Sequence, residues 1–160
     1  SGAQDSMGLV FPGLAYAYYD GGYWPERIEH RMAEPLLQFV ENSIYLMPLG
    51  PRYEDFDVMA DTVFDREHAK ALADATEEHW EAILNQDIHK FGRTLREMFE
   101  AQVAMFPHMM NERVAAIIDK YRDSALGWKL TGAGGGGYLI LACDKPIPKA
   151  VRIIARRESE

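Results

Sequence analysis

The chain has 160 residues, 48% of them hydrophobic, with 17 Lys plus Arg against 25 Asp plus Glu for a net charge of -8. That length and apolar content can bury a core and are most simply one domain, while the acidic balance argues against general nucleic-acid affinity, which requires cations to neutralise phosphates. No run approaches the roughly 18 apolar residues of a membrane span, no basic-then-apolar leader opens the chain, and the single cysteine, Cys143, cannot form an internal disulfide; a cytoplasmic protein with an inert core thiol and no membrane partner is expected.

In chain order, residues 5–10 read as a helical turn. Leu14 to Tyr19 is aromatic and aliphatic enough for a strand closed by Gly21-Gly22, and Arg27 to Met32 reads as a second strand. Pro35 suits the first turn of a short helix through Val40, after which Ser43 to Leu49 reads as a buried strand ended by Gly50-Pro51. The middle is helical. Ala69, Leu72, Ala73, Thr76, Trp80, Ile83 and Leu84 fall on one face at 3.6-residue spacing, with Thr62 or Asp65 near the start. A second helix carries Ile88, Phe91, Leu95, Met98, Phe99 and Gln102 behind a cap at Asp87, and a third carries Met110, Val114, Ile117, Ile118 and Tyr121 after Pro107. Gly127 to Thr131 and Tyr138 to Cys143 are the strands flanking a glycine loop, and Val151 to Arg157 is a last strand or short helix. Strands, then helices, then strands predict an α+β fold: a two-layer sandwich of a mainly antiparallel sheet with helices packed on one face.

The stretch from Lys129 to Leu141 holds five glycines in thirteen residues. Each ordered glycine costs extra conformational entropy, so such clustering needs a reason. Successive amides lining one concavity that binds or borders phosphate is the leading one. Gly132, Gly134 and Gly137 formally satisfy G-x-G-x-x-G, but a dinucleotide fold needs a helix directly after the glycines and Tyr138 to Ala142 reads as a strand. The protein-kinase glycine loop precedes His-Arg-Asp and Asp-Phe-Gly motifs, and neither occurs here. The plain alternative is a glycine-rich hairpin with no ligand.

Lys129-Leu130-Thr131-Gly132-Ala133-Gly134-Gly135-Gly136-Gly137 resembles the third signature motif of the GHMP small-molecule kinases, the family of galactokinase, homoserine kinase, mevalonate kinase and phosphomevalonate kinase. Ser1-Gly2-Ala3-Gln4-Asp5-Ser6 resembles the Gly-x-x-Asp segment that opens a helix midway through these kinases, in a form similar to the sugar and heptose-phosphate branch. The family's Pro-x-x-x-Gly-Leu-x-Ser-Ser motif occurs nowhere, so the chain looks like the C-terminal half of such a kinase. Residues 1–160 are then expected to be that C-terminal domain, with 1–25 the end of the preceding N-terminal domain.

By this resemblance Asp5 matches the catalytic aspartate that takes or orients the acceptor proton, although spacing alone would also allow a helix cap, and Gln4 would hydrogen-bond a sugar hydroxyl. The loop Gly132, Ala133, Gly134, Gly135, Gly136 and Gly137 would border the phosphates and the acceptor. Arg52 follows a strand end where relatives often carry a basic residue near substrate, and Lys129 is either a phosphate contact or a solvated edge residue. ATP and Mg2+ are the implied cofactors, the metal ligands belonging mainly to the N-terminal half. The five histidines show no zinc-like spacing, and the acidic run Glu54, Asp55, Asp57 and Asp61 reads as a solvated loop. The expected activity is ATP-dependent phosphorylation of a hydroxyl on a sugar or sugar phosphate, with this chain inactive by itself. Its expected partners are the N-terminal half and, through uncovered apolar surface, a second copy. A noncatalytic metabolite-binding or chain-pairing module, or a homoserine or isoprenoid-precursor kinase, are the alternatives.

Overall fold

The computed structural model describes residues 7, 8 and 10–158, which divide into two compact units: residues up to 41 together with 154–158, and residues 42–153. The first unit holds an antiparallel hairpin of β1 (Leu14–Tyr18) and β2 (Arg27–Arg31), with Leu14 opposite Arg31 and Tyr18 opposite Arg27. Cross-strand contacts fix this register: the Arg27 guanidinium lies 3.6 Å from the centre of the Tyr18 ring. Gly21, at φ 101°, makes the turn that a residue with a Cβ would resist. Helix α1 (Glu34–Ser43) buries Leu36, Leu37 and Val40. The C-terminal segment is tied to it by the Ala155 N–H, which donates to Glu41 at 2.7 Å, and by Arg157, which pairs with Glu41 and, at 2.7 Å, with Glu34. Arg157 holds both carboxyls below the usual range.

In the second unit β3 (Ile44–Gly50) is followed by α2 (Arg66–Leu84), α3 (Ile88–Met105), a 3-10 turn at Pro107–Met109, α4 (Glu112–Tyr121), β4 (Gly127–Leu130), β5 (Gly137–Ala142) and β6 (Val151–Arg152). The four strands form one antiparallel sheet in the order β4-β5-β3-β6. Pro48 is tolerated in β3 because β6 reaches only Tyr45 and Leu46, which leaves that flank of the strand as an edge beside a register shift between Pro48 and Gly50. Leu139 and Leu141 alternate on β5 and are wholly buried with Tyr45, Phe99, Val114, Ile118 and Trp128, so β3, α3, α4, β4 and β5 all feed one core. Full burial of each such side chain contributes about 2 kcal/mol. Helix α3 also touches β4 backbone to backbone: a Cβ on Gly127 would sit 1.8 Å from the Gly92 carbonyl oxygen.

The α+β class and the helices packed against an antiparallel sheet are as expected. The strands, however, form two sheets rather than one. Asp65 and Asp87 cap α2 and α3, each accepting from the backbone N–H three residues on, at 2.8 and 3.0 Å. Helix α4 starts later than the apolar spacing suggests, because Asn111 accepts from the Val114 N–H at 3.0 Å and so fixes the first turn after Met110. On α2 the buried stripe includes Ala75 and Ala82 while Ala73 is exposed. Only Val151 and Arg152 of the last segment are strand, and residues 153–158 are irregular. No helix among the described residues is long and apolar enough to cross a membrane.

Candidate functional site

Between β4 and β5 the chain turns through Thr131 to Gly136, held at its base by the Thr131 N–H, which donates to the Tyr138 carbonyl at 3.1 Å. Gly132, Gly134 and Gly135 have φ of 63°, 79° and 74°, whereas Ala133 between them does not have positive φ. Four positive-φ glycines give a loop backbone that side-chain-bearing residues resist, and a change of φ sign such as that between Gly132 and Ala133 is the element from which anion-binding nests are built. The chain closes on itself in a turn at residues 132 and 133, and Gly134, Gly135 and Gly136 are buried.

The other sides of the loop are packed against its own chain. A Cβ on Gly135 would lie 2.5 Å from the Phe56 ring, and one on Gly136 would lie 2.6 Å from the Arg52 nitrogen. Arg52 Nε donates to the Gly134 carbonyl at 2.9 Å, so its guanidinium braces the loop from a position 82 residues away in sequence. The glycines therefore answer two demands: positive φ on one side and close approach of residues 50–56 on the other. The segment that supplies this cover, read from sequence as a solvated acidic loop, runs without helix or strand from Pro51 to Asp65. It is pinned by the Val63 N–H, which donates to the Met105 carbonyl at 2.9 Å, and by Asp61, whose carboxylate accepts from His108 Nε2 at 2.8 Å. Neither partner lies near it in sequence, which is why spacing did not reveal them.

Asp5 and Gln4 lie outside the described residues. Lys129 is neither a contact to the loop nor a solvated residue: its Nζ donates to Gln102 Oε1 at 2.7 Å on α3, and burial lowers its pKa. His79 is held by the Thr94 hydroxyl at 2.9 Å, and burial drives its pKa down to about 4. Because Thr94 Oγ1 donates to the Lys90 carbonyl at 2.8 Å, it accepts from His79 Nδ1–H, and the lowered pKa leaves the ring neutral at pH 7. Cys143 is buried with its thiol pushed up to about 11, which leaves it protonated and unreactive. Among the described residues no cluster of His, Cys, Asp and Glu could hold a metal ion.

Residues 80–158 match the family model of the GHMP kinases C terminal. Across 95% of its length the chain is 27% identical to the L-fucokinase/L-fucose-1-P guanylyltransferase of Bacteroides fragilis, covering 17% of that protein. It is also 27% identical, over 94% of its length, to the bifunctional fucokinase/GDP-fucose pyrophosphorylase of Arabidopsis thaliana, covering 15% of it. The chain thus spans about a sixth of the length of the curated relatives it matches.

Proposed function

We propose, from the premise that the chain belongs to the GHMP kinases through their C-terminal domain, that it forms the glycine-loop and acceptor side of an ATP-dependent kinase that phosphorylates a hydroxyl of a sugar or sugar phosphate. The observation that carries this reading is the glycine loop between β4 and β5, with positive φ at Gly132, Gly134, Gly135 and Gly137 and its flank closed by Arg52 and Phe56. The resemblance to fucokinases supports a sugar as the acceptor class.

When bound, ATP supplies the transferable phosphoryl group and a magnesium ion offsets part of its charge. The chain's own contribution is positional. Backbone amides of the glycine loop would donate to phosphoryl oxygens without any side chain intervening, and the loop is held in place in advance by Arg52 and Phe56. Asp5 holds or orients the proton of the acceptor hydroxyl as the oxygen attacks, and Gln4 takes a neighbouring hydroxyl.

The test is Asp5→Asn in the full protein. A group that handles the proton without supporting the fold should lower kcat by about two to four orders of magnitude while the thermal midpoint stays within a degree or two. Unchanged turnover with a sugar acceptor would remove Asp5 from the chemistry, and no phosphorylation of any sugar by the unaltered full protein would remove the kinase reading itself.

A further inference from the structure

Gly134, Gly135 and Gly136 are consecutive buried glycines, and each faces a different wall. A Cβ on Gly134 would lie 3.6 Å from the Met109 Cα in the 3-10 turn, one on Gly135 2.5 Å from the Phe56 ring, and one on Gly136 2.6 Å from the Arg52 nitrogen. The first wall belongs to the turn that follows α3, and the other two belong to the segment 51–65.

That segment is a strap with two ends. Its root is rigid: Arg113 on α4 donates to the Leu49 and Pro51 carbonyls at 3.2 and 3.1 Å, and Arg52 Nε donates to the Gly134 carbonyl at 2.9 Å. Beyond Phe56 the backbone bonds are local, from the Ala60 N–H to the Asp57 carbonyl and from the Thr62 N–H to the Met59 carbonyl, both at 3.3 Å. Val58 tucks against the core there, whereas Met59 is exposed. The far end then returns to the turn that walls Gly134. Asp61 accepts from His108 Nε2 at 2.8 Å, and the Val63 N–H donates to the Met105 carbonyl at 2.9 Å. Turn, strap and glycine loop thus close a ring.

We infer that the Asp61–His108 pair is the latch of this ring, and that both are positioning residues for nucleotide phosphates, acting through the strap on the glycine loop. The inference rests on the kinase reading and adds to it the control of one of its parts. Two observations set the latch apart from an ordinary surface pair. It joins residues 47 apart whose own chain segments wall the loop on different sides. Asp61 also holds its carboxylate in place from φ 54°, in the left-handed region that most side-chain-bearing residues resist and that persists where surrounding structure imposes it.

The consequence is one of populations. With the latch shut, Phe56 stays on Gly135 and the loop keeps one shape. With it open, the far half of the strap can lift, and the loop is left uncovered on that flank for part of the time. Apparent affinity falls with the fraction of molecules still in the binding shape, while a nucleotide once bound meets the same loop as before. The latch therefore acts on KM for ATP and leaves kcat nearly alone.

Steady-state kinetics and hydrogen exchange of the 132–137 amides in the full protein test this. His108→Ala and Asp61→Gly should each raise KM for ATP about fivefold, the ceiling for an exposed pair, with kcat within about twofold and loop exchange faster by a similar factor. Asp61→Gly is the sharper variant, because glycine relieves the positive φ. Its unfolding midpoint should hold or rise while ATP affinity falls, which loss of a merely structural contact would not produce. Asp61→Asn tolerates the left-handed region and keeps an acceptor oxygen, so it should restore most of both readouts. Lys70→Ala, which removes an exposed pair with Asp74 on α2, should move neither. Unchanged KM and loop exchange in both latch variants would overturn the latch and leave the kinase reading standing. Faster exchange without a change in KM, or a fall in kcat at constant KM, would overturn the positioning role. If the unaltered protein phosphorylates no sugar from ATP, the kinase reading fails and the positioning role with it, and loop exchange alone then decides the latch.

Discussion

Where α3 crosses β4, Gly92 and Gly127 let two regular elements meet backbone to backbone, and their polar neighbours find partners inside the fold: Lys129 on Gln102, His79 on Thr94. Around the 132–137 loop glycine is far denser, at five of six positions, and four of the five have positive φ. Identical residue types thus serve opposite ends. The crossing removes side chains so that regular backbone can pack. The loop removes them so that irregular backbone can turn through positive φ while Arg52 and Phe56 close on its flank.

The sharpest way to break the comparison is at the crossing. Gly127→Ala places a methyl group 1.8 Å from the Gly92 oxygen, a backbone atom that cannot step aside without moving α3 from the sheet. The expected loss is about 4 kcal/mol or more, at the upper end for overpacking. Urea unfolding measures it, and a loss below about 1 kcal/mol would mean that α3 is free to shift and that the crossing is not rigidly packed.

Next in size is the polar network of the same region. Burial lowers the His79 pKa from its ordinary 6.5 to about 4, so the unfolded chain takes up a proton before the folded one does. Stability is therefore complete above about pH 6.5 and falls as the pH drops toward 4, by about 3 kcal/mol across that window. His79→Gln should flatten that part of the stability-pH curve. A slope unchanged by the substitution would show that the ring is already solvated in the native state.

The loop should respond differently, because part of its strain is relievable. Gly135→Ala meets the Phe56 ring at 2.5 Å and also requires positive φ, for a combined loss of about 2–3 kcal/mol. In a Phe56→Ala background the clash disappears and only the backbone cost of about 1 kcal/mol remains, so the double-mutant cycle should show a coupling of 1–2 kcal/mol. Additive losses would separate Phe56 from the loop and leave Arg52 as its brace.

What sequence could and could not show follows the same division. Helices α2 and α3 were legible because Asp65 and Asp87 mark their starts and their apolar residues recur at helical spacing, a local signal. The glycine loop was legible as a motif. Its cover was not, since residues 51–65 have no periodicity and their partners, Gly134, Met105 and His108, lie 42 to 82 residues away. Asn111 carried a local cap signal that outweighs the Met110 spacing, and it shows why a polar residue at the edge of an apolar stripe sets a helix boundary better than the stripe does. The acidic run at 54–61 is mostly solvent-exposed, as its composition suggests, but composition is blind to the one carboxylate, Asp61, that is bonded to an imidazole.

The smallest effect is expected at Gly132, and it is the most discriminating. A Cβ there meets nothing within 4 Å, so Gly132→Ala carries no clash, only the cost of an L-residue at φ 63°. That is about 1 kcal/mol if the loop keeps its shape, and less if residue 132 relaxes to negative φ. Relaxation would rotate the peptide joining residues 131 and 132 and turn the Gly132 amide, so a small stability change should come with a weakening of phosphate or ATP binding of about tenfold, near 1.4 kcal/mol. Gly132→Asn, whose side chain tolerates the left-handed region, should keep more of that affinity than alanine does. The ordering glycine, then asparagine, then alanine in ATP affinity, at nearly constant unfolding free energy, is a result that a loop shaped only by internal packing would not produce, because nothing packs on Gly132. Equal affinities for all three would leave the positive φ without a ligand to explain it and make the loop, like the α3–β4 crossing, a matter of packing alone.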